Sequence, residues 1–257
     1  MMLRAAVILA LIATPALAED SFRGGLVENP CAADQSRPTP EQWSDWFRRS
    51  ILEDFGHLCR YAAANRAVPR PVRVVFIGDS ITEGWPENSP DLFTAGTVGR
   101  GIGGQTTPQM LVRFRQDVLS LQPTAVHIMA GTNDIAGNTG PSTMEAVEGH
   151  IHSMAELARA HGIKVLIGSV PPAATFPWRP GLQPSPQIVE LNRRLKTWAA
   201  SEGHVFVDYH SAMAGPDGGM KPGLAADGVH PTHEGYQIMA REYRAAIVKL
   251  IPGAPPS

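Results

Sequence analysis

Val72-Arg73-Val74-Val75-Phe76-Ile77-Gly78-Asp79-Ser80-Ile81 is the stretch that decides the fold. Residues 72–77 are a short run rich in β-branched side chains, the pattern of a strand buried in a parallel sheet. Gly78 then allows a tight backbone, and Ser80 stands where a strand hands over to a helix whose first N–H groups can face an anion. A serine so placed meets the needs of an acyl-transfer nucleophile beside an oxyanion site. The same four residues, 78–81, also suit a plain helix N-cap.

Working outward, strand-like and helix-like segments alternate to the C-terminus. Further strands are predicted over residues 97–99, 125–130, 163–168 and 205–207. Helices are predicted from Thr107-Pro108, Pro141, Ser185-Pro186 and Thr232, with apolar stripes such as Val147, Ile151 and Met154. Such alternation makes an α/β protein, a parallel sheet with helices on both faces, whose chemistry sits at the carboxyl ends of the strands.

Upstream of the first strand, Thr39-Pro40-Glu41-Gln42 has the form of a helix start. Trp43, Phe47, Ile51, Phe55, Leu58 and Ala62 follow at helical spacing. One long helix is therefore expected within an extension over residues 19–70, its aromatic face serving as core against the main domain. Pro69 and Pro71 mark the entry to that domain.

Three more strand ends carry notable residues. Gly101-Ile102-Gly103-Gly104 lets backbone approach a ligand closely, either an oxyanion or a phosphate, although it lacks a P-loop lysine. Gly131-Thr132-Asn133-Asp134 offers a neutral amide donor, or an Asx-turn. Asp227-Gly228-Val229-His230-Pro231 has an Asp placed to hold an imidazole in one tautomer. With His233 it also spells D-x-x-H-x-x-H, a sparse metal-ligand pattern.

Taken together, the four motifs resemble the SGNH (GDSL) hydrolase family, whose GDS, Gly-bearing, G-x-N-D and D-x-x-H-P blocks stand here in the expected order. The resemblance covers the domain over residues 71–252 and leaves 253–257 as a tail. It implies a flavodoxin-like, three-layer α/β/α fold with a five-stranded parallel sheet in the order 2-1-3-4-5. It also implies a serine esterase with Ser80 as nucleophile, His230 as general base and Asp227 orienting it. The oxyanion hole would be formed by Ser80 N–H, Gly104 N–H and the Asn133 amide, with no metal and no organic cofactor. Asp79 is expected to be structural. Other activities on the same fold are lysophospholipase, arylesterase and acyltransferase; a glycan-binding module is the non-enzymatic alternative.

The loops beside these motifs bear on the substrate. Trp85, after Gly84, and Trp178, beside Phe176 and Arg179, are candidate substrate-binding residues. Aromatic rings beside polar groups suit a sugar face, so a short acyl group, acetyl above all, on a small-molecule or carbohydrate ester is the expectation.

Composition sets the remaining bounds. Apolar residues make up 43% and charged residues 18%, as in a globular protein, and the formal charge of −2 with no basic stripe argues against nucleic acid as partner. Arg4, an apolar run over residues 5–13 and Ala16-Leu17-Ala18 read as a signal peptide over residues 1–18, cleaved after Ala18. That predicts a periplasmic or secreted protein. No Cys follows the cleavage site and no later segment is apolar enough to span a bilayer, so no stable membrane anchor is expected. In an oxidising compartment Cys31 and Cys59 are expected to pair.

Overall fold

Val74–Gly78 forms β1, and all five of its residues are buried. Its alternating side chains feed two separate cores. Val75 and Ile77 face one side, packing with Met110, Phe114, Ile151 and Leu191. Val74 and Phe76 face the other, packing with Trp85, Tyr209, Met239 and Tyr243. The computed structural model describes Cys31, residues 37–94 and residues 96–251. The expected signal peptide and the 253–257 tail lie outside the described residues.

The sheet is completed by β2 (Thr97–Gly101), β3 (Ala125–Met129), β4 (Lys164–Gly168) and β5 (Val205–Val207). All pairs are parallel and the order is β2-β1-β3-β4-β5. The helices α4 (Thr107–Asp117), α6 (Met144–Ala160) and α7 (Ser185–Ser201) cover one face. The opposite face carries α3 (Ser80–Asn88), α8 (Tyr209–Met213) and α9 (His233–Leu250). A further single turn of helix, α5 (Thr132–Ile135), follows β3. This is the expected three-layer α/β/α architecture. Among the described residues no helix is long and apolar enough to cross a membrane.

Caps fix where the helices begin. The capping box of α4 is built on Thr106 and Gln109, one residue earlier than expected, which releases Thr107 for another role. In α6 the Thr143 side chain accepts from Ala146 N–H, so the helix starts past Pro141. Thr232 caps α9 as expected.

The extension differs from its sequence reading. In place of one long helix there are two short ones, α1 (Trp43–Glu53) and α2 (Ala62–Ala67). Asp54 ends the first: its carboxylate accepts from the N–H groups of Leu58 at 2.8 Å and Cys59 at 3.2 Å, so that residues 54–59 turn instead of continuing the helix. Phe55 and Leu58 consequently leave the apolar stripe and are partly exposed. Both Cys31 and Cys59 are disulfide-bonded, and the chain has no other cysteine.

Candidate active site

Register brings the site together before any side chain is considered. Gly78 at the end of β1 pairs with Gly101 on one side and Met129 on the other, so the three loops that follow start side by side. Gly78 admits no side chain, since a Cβ there would lie 2.1 Å from Thr82 Oγ1. Gly101 is equally constrained, but by α3 and not by a ligand: a Cβ would meet Glu83 N at 2.1 Å. Buried Arg113 ties the block down, donating to Gly78 O at 3.0 Å, to Gln105 Oε1 at 2.6 Å and to Asp117 Oδ2 at 3.1 Å.

Ser80 is the first residue of α3, and Asp79 before it is the N-cap, accepting from Ile81 N–H at 3.0 Å. The loop into α9 carries the partner. Asp227 Oδ1 accepts from the N–H groups of Val229 and His230 at 3.0 and 2.8 Å, which curls the chain so that Asp227 Oδ2 faces His230 Nδ1 at 2.7 Å. That contact assigns the proton to Nδ1 and leaves the Nε2 lone pair directed at Ser80 Oγ, 2.9 Å away. Burial pushes the Asp227 carboxyl up, but the hydrogen bonds from His230 and Val229 outweigh it and hold the group below the usual carboxylate value. The arrangement can pass a proton from serine to imidazole and stabilise the cation that forms. His233 opens α9, and among the described residues no group of three His, Cys, Asp or Glu is placed to hold a metal ion.

Gly104 takes φ +74°, a left-handed conformation suited to glycine. Asn133 is buried in α5, where its amide N–H₂ donates to Gln105 O at 3.0 Å and lies 3.4 Å from Asp79 Oδ2. Its carbonyl accepts from Asn138 Nδ2 at 2.9 Å, and Asn138 Oδ1 in turn accepts from Trp178 Nε1 at 3.1 Å. Thr107, freed from the cap of α4, binds Asp134 through its N–H and hydroxyl, anchoring the same turn.

Ser80, Gly104, Asn133 and His230 line one cavity of about 640 Å³ together with Trp43, Phe47 and Trp178. Trp178 lies at this cavity, stacked on buried Phe176 with ring centroids 5.0 Å apart. Trp85 does not. It is fully buried, on the inner side of α3 among Phe76, His127, Tyr209 and Tyr236, and has no access to the cavity. Trp43 and Phe47 were expected as core; instead they are half-buried and roof the Gly104 turn, both 3.1 Å from a Cβ built there. Their helical spacing signalled a covered face but not that the face would close over a cavity.

Asp79 has a consequence for stability. Burial pushes its carboxyl up to about 6, against the Ile81 hydrogen bond and the nearby His230, which pull it down. A proton held more tightly in the folded chain favours folding below the ordinary value of 3.8, and that contribution is lost as pH rises through about 6. Above it the buried charge costs stability, about 3 kcal/mol at most for a shift of this size. Asp79→Asn keeps a good N-cap and removes the charge. The variant is expected to gain thermal stability over wild type at pH 8 and to lose about half of that gain at pH 5, where the unfolded carboxyl is already ionised but the folded one is not, as thermal unfolding at the two pH values would show. A gain as large at pH 5 as at pH 8 would contradict the assignment.

Comparison with known proteins adds four findings. A family model described as the GDSL-like lipase/acylhydrolase family matches residues 76–238. The crystal structure of a GDSL-like lipase from Bacteroides thetaiotaomicron is similar, with 47% identity and a TM-score of 0.74 over 77% of this chain and 100% of that one. Acetylxylan esterase from Geobacillus stearothermophilus is 25% identical over 201 residues, covering 66% of this chain and 91% of that protein. A shorter match, 41% over 71 residues, links the chain to the lipoprotein YqeF of Bacillus subtilis, of which it covers 29%.

Proposed function

We propose, given that the chain belongs to the GDSL-like lipase/acylhydrolase family and is a serine ester hydrolase, that it removes short acyl groups, acetyl above all, from carbohydrate esters outside the cytoplasm. The observation that carries the reading is the relay of 2.9 Å from Ser80 Oγ to His230 Nε2 and 2.7 Å from His230 Nδ1 to Asp227.

In this mechanism His230 Nε2 takes the Ser80 proton as Oγ attacks the ester carbonyl. Asp227 stabilises the imidazolium, and the N–H groups of Ser80 and Gly104 with the Asn133 amide receive the oxyanion. Collapse of the intermediate breaks the bond to the alcohol, which leaves with the proton from His230. Water, deprotonated by His230, then attacks the acyl-Ser80 ester and releases the acid.

The short acyl group is supported by the composition of the cavity, in which aromatic rings alternate with Arg, Asn and Ser side chains. A site for long chains would be lined by continuous apolar surface, since each buried CH₂ contributes only about 0.8 kcal/mol. The carbohydrate is supported by Trp43 and Trp178 at the cavity and by the likeness to an acetylxylan esterase. Export is supported by the signal-like residues 1–18 and by the disulfide-bonded cysteines.

The test is kcat/KM along a series of esters from acetyl to dodecanoyl, followed by acetylated xylan and acetylated monosaccharides. The rate constant is expected to peak at acetyl. A value that climbs beyond about eight carbons, each methylene adding apolar gain, would favour a lipid substrate. A peak at acetyl with no activity on any acetylated sugar would keep the small acyl site and discard the carbohydrate.

A further inference from the structure

The charges around the catalytic cavity are uneven. Arg37, Arg48 and Arg179 line it, and among the described residues no carboxylate does. Two of these cations are already matched: Arg37 lies 3.6 Å from Glu83 and Arg48 lies 3.0 Å from Asp45. Arg179 is not. Its Nε donates to Ala136 O at 2.8 Å and its Nη2 to Gly137 O at 3.0 Å. Those partners are neutral carbonyls, and among the described residues no carboxylate pairs with it.

The two carbonyls do more than occupy donors. They fix the plane of the guanidinium and leave Nη1 without an acceptor among the described residues. An arginine held in this way has lost its rotamer freedom before a ligand arrives, so a charge-assisted bond to an anion costs little further ordering. Arg179 also borders a second cavity of about 650 Å³, lined by Trp178 and by residues of α6 and α7. The one carboxylate in that lining, Asp134, is taken up by three bonds from Thr107. The guanidinium therefore stands between the reacting centre and an adjoining space large enough for more of the substrate.

We propose that Arg179 selects esters whose alcohol portion carries an anionic group next to the acylated hydroxyl. The claim rests on the ester hydrolase reading above and narrows its substrate class. A sugar carboxylate and a phosphate monoester share the required chemistry; the flanking rings of Trp43 and Trp178 fit the former within an acidic oligosaccharide.

The experiment measures kcat/KM for matched pairs at low ionic strength: an O-acetylated methyl glucuronoside against the O-acetylated methyl glucoside, and acetylated glycerol 3-phosphate against acetylated glycerol. The full-length enzyme should prefer the anionic member of at least one pair by about tenfold, the size of one charge-assisted contact at an open site. The pair that shows the preference identifies carboxylate or phosphate. The preference should lie in KM and shrink as salt is raised towards 1 M. Arg179→Gln should bring the ratio within each pair close to one, and Arg179→Lys should keep part of it. A wild-type ratio at or below one in both pairs overturns the inference without touching the hydrolase reading, because the neutral acetates are still cleaved. A preference that survives Arg179→Gln overturns the assignment to Arg179. Failure to cleave any of the four acetates would instead sink the underlying reading.

Discussion

Ser80→Ala is expected to lower kcat/KM for a simple acetate ester by about 10^4-fold or more while the protein stays folded. Ser80 Oγ is 2.9 Å from His230 Nε2, and His230 is held by Asp227 through both its backbone N–H and its Nδ1. Removing the hydroxyl removes the attacking atom and leaves the rest of the relay with nothing to deprotonate. Residues of such a relay act as a unit, so His230→Ala should cost about as much, and the double variant little more than either alone. What survives is the rate given by binding and by the oxyanion donors, which do not depend on the serine hydroxyl. The fold should be unaffected, because the His230 ring is 39% exposed and its Nε2 can turn to water. Activity within an order of magnitude of wild type in a folded Ser80→Ala protein would take Ser80 out of the mechanism.

Much of this site was legible because its parts obey local rules. The β-branched run before Gly78 reads as a buried strand in any context. Glycines at 78 and 101 stand where a Cβ would lie within 3 Å of atoms of α3, so their presence at strand ends is forced by packing. The pair Asp227 and His230 lies within one turn, and the hydrogen bonds that Asp227 accepts come only from residues 229 and 230. Strand order followed from the family resemblance, not from the residues themselves.

The rest was not legible because it depends on residues far apart in the chain. Trp85 read as a loop residue because it follows Gly84; in the folded protein α3 runs through Gly84 and Pro86 to Asn88. The opposite core wins there, since Trp85 packs against Phe76 from β1, Tyr209 from α8 and Tyr236 from α9. The same distance hides the roof. Trp43 precedes Gly104 by sixty-one positions, and nothing in the stripe Trp43, Phe47, Ile51 distinguishes a helix that caps a cavity from one that fills a core. Exposure is the sign that separates them: Trp43 and Phe47 are only half-buried, whereas true core aromatics such as Phe114 are fully so.

Asn133→Ala is expected to lower kcat by about 10^2- to 10^3-fold with a much smaller change in KM, the signature of a donor that acts on charge developing in the transition state. Asn133 is suited to this because its amide is locked before substrate binds. Its carbonyl is held by Asn138 at 2.9 Å, and one amide hydrogen is engaged by Gln105 O at 3.0 Å. The other hydrogen has only the long contact of 3.4 Å to Asp79 Oδ2, so it is the one available to an oxyanion in the cavity shared with Ser80 and Gly104. The substitution has a structural cost as well. It strands buried Gln105 O without its partner, a loss of about 1–3 kcal/mol, while Asn138 Nδ2 keeps its bond to Gly104 O. Kinetics must therefore be taken well below the variant's own Tm, with circular dichroism confirming the fold. The split between the two constants then decides the role. If kcat is untouched and KM alone rises, Asn133 binds the ground state and the oxyanion is left to the backbone N–H groups. If kcat falls and KM holds, the amide belongs to the hole, because a residue that merely supported the loop would be expected to disturb substrate binding as much as the chemical step.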